Sequence, residues 1–421
     1  MNQLKTIESD LRRRIAVTRA RAAAVRRKVG KAPSHAARRD ERAFIERLRG
    51  ASSPRVLVVD LAVPAHDRSA GGLRMTWILR LLRSLDCHVT LFPAQQRERL
   101  EPYATELQGV GVEVNVRSPS YAEFAAARAG LYDLVILSTP AAAGEVIDAS
   151  RRIFPEALVV YDCVDLHFLR VARQAAVVGG PSQSDLWYAT EVKCIGSSDL
   201  VATVTETEGD VVRSTVPSAR IVVLPTVHQL DSGPRLPYGA TSDLLFIGGF
   251  LHAPNADAVS YFVREIFPLV TREIDVRLWV IGQDPPEEVR ALESSSVVVT
   301  GYVPHVESYF RRARVFVSPL RFGAGMKGKN GHAMAFGLPL VTTPVGAEGM
   351  DLVDGEHALI RDGAEAFAAG VLALYRNRAL WERLSTNSQQ LVNERWSPDA
   401  MRERLNALLE TAVRRRSGAQ R

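Results

Sequence analysis

The sequence predicts an α/β protein in which two open, parallel-sheet domains face each other across a cleft, behind a basic helical extension. Three observations support this prediction. From residue 55 onward, short apolar runs alternate with amphipathic helical stretches, as in parallel sheets covered on both faces. The alternation lapses into Gly, Pro, Ser and Asp over residues 226–242 and then restarts. Residues 1–55 carry 16 Lys/Arg against 5 Asp/Glu.

The composition is that of an ordinary globular protein. With 421 residues, 46% of them hydrophobic and 24% charged, the chain can bury a large core, which excludes general disorder. Its three cysteines, Cys87, Cys163 and Cys194, follow no metal-binding spacing, so neither a disulfide framework nor a zinc site is expected. No apolar run reaches about 18 residues, and we expect a cytoplasmic protein.

The basic extension, residues 1–52, is a domain of its own in this interpretation. Leu4, Ile7, Leu11 and Ile15 have helical spacing. The helix is expected over residues 1–49, with a break near residues 30–34. A solvated arm, contact with anionic lipid at the inner face of the membrane and contact with a partner protein remain alternatives. Nucleic acid is not expected, because the other 366 residues carry 37 basic and 42 acidic groups and no nucleic-acid-binding fold is evident.

The body is expected to form a first domain over residues 53–232 and a second over 233–396, followed by a C-terminal helix and basic tail over 397–421. Strands of the first are predicted at residues 55–60, 88–92, 112–116, 134–138, 158–162, 200–205 and 221–224. Strands of the second are predicted at residues 243–247, 276–281, 297–302, 315–318 and 338–342. Helices are expected at residues 256–272 and 365–394. Ligands of such sheets bind at the carboxyl ends of the strands.

The strongest functional signal is the Gly-rich segment at residues 318–350. A strand ending at Ser318 is followed by a loop with glycines at 323, 325 and 328, and then by a short helix expected at 329–336. Such a loop presents unpaired amides to an anion, and Lys327 and Lys329 add positive charge. The spacing fits neither the P-loop nor the dinucleotide fingerprint. The segment therefore predicts a diphosphate-binding site of another kind.

Two further signals follow strands of the first domain. Gly71 and Gly72 precede a helix expected at 73–85, which places a helix N-terminus at the cleft. Asp165 and His167 follow the strand at 158–162, together with Arg170. A carboxylate and an imidazole there suit proton transfer or sugar-hydroxyl binding. The alternative is that Asp165 caps the next helix and His167 packs beneath it.

The phrases PLRFGAGMKGK, GLPLVTTPVGAEGM, FIGGFLHAPNADAV and DRSAGGLRM together resemble the bacterial family 4 retaining glycosyltransferases of the GT-B fold (glycosyl transferases group 1). The resemblance runs from about residue 55 to the end of the chain. It implies two facing Rossmann-like domains and transfer of a sugar from a nucleotide-diphosphate sugar to a hydroxyl-bearing carbohydrate, glycolipid or small-molecule acceptor. It further implies retention of configuration, no metal ion, no cofactor, and a role in processes such as polysaccharide biosynthesis.

The resemblance also implies roles for individual residues. Asp165, His167 and Lys327 are the expected catalytic residues. The expected donor-binding residues are Gly71, Gly72, Gly248, Gly249, Phe322, Gly323, Ala324, Gly325, Met326, Lys327, Lys329, His332 and Glu348.

Four positions depart from the family pattern. Its two motif glutamates fall on Ala324 and His332, and its Arg and Lys that bind the diphosphate fall on Gly249 and Asn255. These departures keep two alternatives open: a degenerate transferase that binds nucleotide sugar or serves as a scaffold, and a nucleotide-sugar epimerase.

Overall fold

The computed structural model describes residues 35–179, 184–234 and 236–419 of the chain. Its strands form two parallel sheets, one of seven strands and one of six. The first contains β1 (Arg55–Ala62), β2 (His88–Gln96), β3 (Glu113–Val114), β4 (Leu134–Ser138), β5 (Leu158–Asp162), β6 (Leu200–Thr203) and β7 (Ile221–Val223). The second contains β8 (Leu244–Ile247), β9 (Leu278–Ile281), β10 (Val297–Gly301), β11 (Val315–Ser318), β12 (Leu340–Thr342) and β13 (Leu359–Ile360).

Helices connect the strands of both sheets. Up to β7 they are α1 (His35–Gly50), α2 (Ala70–Ser84), α3 (Tyr103–Gly109), α4 (Tyr121–Ala127), α5 (Pro140–Ile153), α6 (His167–Val178), α7 (Ser184–Gly196) and α8 (Glu206–Thr215). After β8 they are α9 (Ala253–Tyr261), α10 (Phe267–Thr271), α11 (Glu287–Arg290), α12 (Glu307–Arg312), α13 (Gly328–Ala335), α14 (Pro344–Ala347), α15 (Ala364–Arg376), α16 (Arg378–Arg395) and α17 (Pro398–Ala419). Within the described ranges, no helix is both long and apolar enough to cross a membrane.

Both sheets have a point where the order of strands reverses. The first has the order β3-β2-β1-β4-β5-β6-β7 and the second β10-β9-β8-β11-β12-β13. The reversals lie between β1 and β4 and between β8 and β11, where open α/β sheets leave a crevice at the carboxyl ends of their strands. The predicted α/β class with two Rossmann-like sheets is confirmed.

The core of the first sheet follows from the two-residue repeat of a strand. Val56 and Val58 of β1 face one apolar cluster, whereas Leu57 and Val59 face another, and all four are fully buried. Because both faces are covered, the strand is apolar at four consecutive positions rather than at alternate ones.

The last described helix, α17, packs on the first sheet although it follows the second in sequence. Met401 and Leu405 are fully buried in the same cluster as Val56. Near its end, Arg415 lies 2.8 Å from Asp199 and Arg416 pairs with Asp133. The chain therefore crosses between the two sheets twice.

The part of the basic extension that the structure describes also packs on the first sheet. Ile45 and Leu48 of α1 are buried in its core, and Glu41 lies 2.6 Å from the fully buried guanidinium of Arg128. This contrasts with the solvated arm considered for the whole extension. The expected helix over residues 1–34 lies outside the described residues.

Two predicted helices are interrupted. The one expected at 256–272 contains a π-helical turn, Phe262–Ile266, just before Pro268, which has no amide hydrogen to donate to the helix. The one expected at 365–394 divides at Asn377, whose side chain accepts a hydrogen bond from the Leu380 amide at 3.0 Å. β13 was not predicted, because a two-residue edge strand has no recognisable periodicity.

Candidate functional site

The carboxyl ends of the two sheets meet in a cleft, and glycines mark where they touch. A Cβ atom on Gly328 would lie 2.7 Å from the Cβ of Ala70, at the start of α2. A Cβ atom on Gly325, whose φ is +68°, would lie 3.0 Å from the Cβ of Asp165. The Gly-rich loop of the second sheet therefore lies directly against two loops of the first, at a separation that only small residues permit.

Lys327 lies at the base of this loop and is almost completely buried, with 6% of the residue exposed. Its Nζ donates to the Gly325 carbonyl oxygen at 2.8 Å and lies 3.7 Å from Glu348 Oε2. Burial lowers the pKa of the Lys327 ammonium, and the Glu348 carboxylate offsets part of that shift. The hydrogen bond to the Gly325 carbonyl holds the Lys327 amine within the Gly-rich loop.

Lys329, in the first turn of α13, reaches the first turn of α9, the helix that follows β8. Its Nζ donates to Asn255 Oδ1 and lies 5.3 Å from the centroid of the Phe246 ring, and Asn255 Nδ2 donates to the Gly249 carbonyl at 2.6 Å. Burial, followed by the charge of Lys327, lowers the pKa of Lys329 to about 7. An amine from α13 thus contacts Asn255, one of the two positions where the family resemblance had implied a cation.

The start of α2 contributes the opposite wall, and its two glycines differ. Ser69 caps the helix by accepting a hydrogen bond from the Gly72 amide at 3.0 Å. A Cβ atom on Gly72 would lie 2.3 Å from the Ala65 carbonyl oxygen, whereas one on Gly71 would meet only Val164, at 3.8 Å. Gly72 is therefore required by the turn itself, and Gly71 is the one with space beside it.

Asp165 and His167 form a charged cluster with Arg170 at the end of β5. Asp165 lies 3.1 Å from His167 Nδ1 and accepts from Arg170 Nε at 2.6 Å. Burial alone would raise the pKa of Asp165, but His167 and Arg170 outweigh it and hold the pKa well below its usual range. Burial likewise opposes protonation of His167, yet the Asp165 carboxylate raises its pKa overall. Asp165 is thus an ionised acceptor.

Val164, which precedes Asp165, has a φ of +62°. This conformation is unfavourable for a β-branched residue, and such strain concentrates where surrounding structure fixes a functional geometry. Here the turn brings the Val164–Asp165 backbone against Gly325.

Arg173 is a contact between the sheets that the sequence did not single out. From α6 it makes two hydrogen bonds to Glu348, at 2.6 and 2.8 Å, and a third to the Gly323 carbonyl at 2.8 Å. The Glu348 carboxylate strengthens the charge on the guanidinium and raises the pKa of Arg173. The three-residue spacing from Arg170 places both guanidinium groups on the same side of α6, which was the available signal.

Glu208 is a second residue that the sequence did not indicate. Its Oε1 accepts from the Leu166 amide at 3.0 Å, while Oε2 is buried without a hydrogen-bond partner among the described residues. Burial, then the charge of Asp165, raises the pKa of Glu208 to about 7. Thr205 and Glu208 have the spacing of a helix-capping pair, and the Thr205 side chain accepts a hydrogen bond from the Glu208 amide at 3.1 Å.

Three predicted donor-binding residues make contacts inside the protein. Phe322 is buried, with 2% exposed, and the sulfur of Met326 accepts a hydrogen bond from Thr226 Oγ1 at 2.8 Å. The His332 ring lies 4.6 Å from that of Phe310 and stacks at 6.5 Å on His228. Burial lowers the pKa of His332 to about 4, so the ring is neutral at pH 7.

The remaining predicted residues lie in the loops and first helical turns around the cleft: Gly71, Gly72, Asp165, His167, Gly248, Gly249, Gly323, Ala324, Gly325, Lys327, Lys329 and Glu348. Across the described ranges, no three His, Cys, Asp or Glu side chains are arranged to hold a metal ion. Two helix N-termini, two lysines and two arginines converge here. Chemically, this arrangement favours a ligand with several negative charges.

Comparison with known proteins finds a family match to part of the chain. Residues 241–377 match the family model described as glycosyl transferases group 1. The chain is also 21% identical over 164 residues to an uncharacterized 44.6 kDa protein in the cps region of Klebsiella pneumoniae. That match covers 37% of this chain and 42% of the relative, so the chain spans about two fifths of the length of that curated protein.

Solved structures share the fold at low sequence identity. Sucrose-phosphate synthase from Thermosynechococcus elongatus is 15% identical with a TM-score of 0.67, over 86% of this chain and 99% of that one. Anabaena HepE, in complex with UDP and glucose, is 13% identical with a TM-score of 0.64, over 85% and 100%. The pneumococcal O-GlcNAc transferase GtfA, in complex with UDP and GlcNAc, is 15% identical with a TM-score of 0.53, over 66% and 57%. The chain has the predicted GT-B fold.

Proposed function

We propose that this chain is a glycosyltransferase that moves a sugar from a nucleotide-diphosphate sugar to a hydroxyl of a carbohydrate, glycolipid or small-molecule acceptor, with retention of configuration and without a metal ion. The observation that carries this proposal is the meeting of Lys327, Lys329 and the α13 N-terminus with the α2 N-terminus across the cleft. The match of residues 241–377 to glycosyl transferases group 1 supports it.

The proposed chemistry follows from where charge develops. When the anomeric C–O bond breaks, negative charge grows on the departing diphosphate, and fixed cations stabilise the transition state more than the ground state. Lys327 and Lys329 would supply that charge, together with the positive end of the α13 dipole. Lys327 is the residue we assign to leaving-group stabilisation.

Acceptor binding is assigned to the first sheet. Ionised Asp165 can accept a hydrogen bond from an acceptor hydroxyl, and His167 fixes the carboxylate in place. Asp165 and Glu348, two carboxylates beside the Gly-rich loop, are held in ion pairs. This supports attack from the leaving-group face, with a diphosphate oxygen taking the acceptor proton, rather than a covalent glycosyl–enzyme ester.

A second candidate is a nucleotide-sugar-binding protein without transfer activity. The observation that favours it is the packing of His332 against Phe310, since a neutral ring in an aromatic cluster is a poor substitute for a carboxylate that binds ribose. The two candidates differ in turnover but not in donor binding.

Donor binding is tested first by thermal unfolding of the protein with UDP, GDP, dTDP, ADP and their common sugar conjugates, with and without Mg²⁺. UDP heads this series because HepE and GtfA form complexes with it. A ligand at about 100 times its Kd adds about 2.7 kcal/mol of stability. Stabilisation by one nucleotide family without Mg²⁺ is expected, and no stabilisation by any would contradict both candidates.

Transfer is tested with the stabilising donor and a panel of hydroxyl acceptors. Lys327→Gln should reduce turnover by about 100-fold, the effect of one lost transition-state donor. Lys193→Gln is the matched control, because Lys193 is exposed on α7 and pairs with Asp148 outside the cleft. Donor binding without sugar transfer to any acceptor would favour the second candidate.

A further inference from the structure

A cavity of about 560 Å³ lies between the outer edge of the first sheet, the second sheet and the returning helix α17. Thr205, Thr207 and Arg220 line it from the first sheet, and Gly349 lines it from the second. Arg395 and Arg404 close it where the chain crosses back. We call this cavity the hinge pocket. Its volume is in the range of small-molecule sites.

Three guanidinium groups line the hinge pocket without a carboxylate partner. Among the described residues, no carboxylate oxygen lies within 4.0 Å of the side-chain nitrogens of Arg220, Arg395 or Arg404. Arg404 is partly buried, and its one hydrogen bond runs from Nη1 to the Arg395 carbonyl oxygen at 2.9 Å. Burial, then the neighbouring Arg395 charge, lowers the pKa of Arg404. Four of its five N–H donors are therefore available to a ligand.

The other charged groups leave the pocket with an excess of positive charge. Glu206 and Asp351 also line it, two carboxylates against three arginines. Glu206 lies 3.3 Å from Arg213, whereas the Asp351 charge favours the charged form of Arg404. The ten-residue helix α8 begins at the pocket wall, and its first amides add the positive end of its dipole. Apolar walls from Val223 and Leu408 accompany these charges. This mixture suits an anionic group carried on an organic body.

We propose that the hinge pocket is a second binding site, separate from the Gly-rich loop, for a phosphate ester of a small organic molecule. The phosphate would bind between Arg395 and Arg404, where planar guanidinium groups donate paired hydrogen bonds. The organic body would lie against the apolar wall at β7.

Occupation of the hinge pocket would be coupled to the cleft. Its walls come from both sheets, and Gly349 packs so closely on Thr205 that a Cβ atom there would lie 2.6 Å from its Cγ2. A ligand that contacts both walls binds only this arrangement of the two sheets. If that ligand changes the affinity for the donor, the donor changes the affinity for that ligand by the same factor.

The test is isothermal titration of the full chain with glucose 6-phosphate, with glucose as the uncharged comparison. We expect binding of the ester alone, weakened about tenfold by Arg404→Gln and further by adding Arg395→Gln. Arg402→Gln is the matched control, because Arg402 lies on the same helix and instead donates to Ser84. A Lys327→Gln/Lys329→Gln variant should keep the binding, which separates it from the donor site.

Two results would overturn the proposal. One is an affinity for glucose 6-phosphate that the Arg395→Gln/Arg404→Gln variant retains in full. The other is absence of binding by the wild-type chain up to about 10 mM. Arg220→Gln tests the same binding in a variant whose folding does not depend on α17, because Arg220 is exposed at the edge of the first sheet. Neither result bears on donor binding in the cleft.

Discussion

Lys329 should make donor binding fall as the pH rises above neutral. Its pKa is lowered to about 7 by burial and by Lys327, so the amine is charged below pH 7 and largely neutral above it. A diphosphate placed beside it favours the charged form and returns the pKa toward its ordinary value. Above pH 7, ligand binding must therefore take up a proton, and affinity decreases as protons become scarce.

The magnitude follows from that linkage. One proton taken up per ligand bound corresponds to a tenfold loss of affinity per pH unit, or about 1.4 kcal/mol. Because a pKa of about 7 leaves the amine half neutral at pH 7, the Kd of UDP should rise by about 15-fold between pH 7 and pH 8.5. Ionisation of UDP itself contributes little to this pH dependence, because the second pKa of a phosphate lies near 6, below the range compared.

The assay is calorimetric titration with UDP from pH 6 to pH 8.5, in buffers of different ionisation enthalpy so that proton uptake is counted directly. Lys329→Arg keeps a cation that stays charged throughout this range, so its affinity should be flat. Lys193→Gln should behave as the wild type. A flat wild-type profile, or the same slope in Lys329→Arg, would refute the reasoning even if UDP binds well.

Three further predictions concern stability. Gly72→Ala should destabilise the fold by about 1–3 kcal/mol through its clash with Ala65, whereas Gly71→Ala should be neutral or stabilising by up to about 1 kcal/mol. Urea unfolding compares the two variants, and equal free energies of unfolding would contradict the assigned contacts. Arg173→Ala and Glu348→Ala should show a coupling of about 1 kcal/mol in a double-mutant cycle, since the pair is partly exposed; additive effects would mean that the bridge contributes nothing. Glu208 has a pKa raised from 4.5 to about 7, so its favourable contribution to folding stability is full below pH 4.5 and is lost as the pH rises through 7. Glu208→Gln should therefore stabilise the fold by up to about 3 kcal/mol at pH 8 and by much less at pH 5. A stability difference that does not change with pH would exclude this titration.

The sequence was sufficient for the sheets and for the Gly-rich loop, because both depend on local patterns. β4, β5 and β11 have the predicted bounds, since each is a continuous apolar run flanked by breakers. Gly337 ends α13 with a φ of +65°, the left-handed conformation that a glycine after a helix commonly adopts. Such features need no knowledge of distant residues.

The contacts across the cleft could not be predicted, because they join residues far apart in sequence. Arg173 and Glu348 are 175 positions apart, and neither has a neighbour that marks the pairing. The same holds for the packing of the His332 ring on Phe310. Periodicity identifies a helix, but which face meets which partner depends on packing between segments.

The cleft therefore handles its positive charge differently from a site built on arginines. A guanidinium stays charged whether or not a ligand is present, and burying it unpaired would cost several kcal/mol. Lys329 avoids that cost, because its low pKa lets the amine lose its proton while the site is empty. A bound diphosphate then restores the charge where it is needed. On this view Gly249 and Asn255 need supply no cation of their own, because Asn255 holds an amine that is charged mainly when it has an anion to meet.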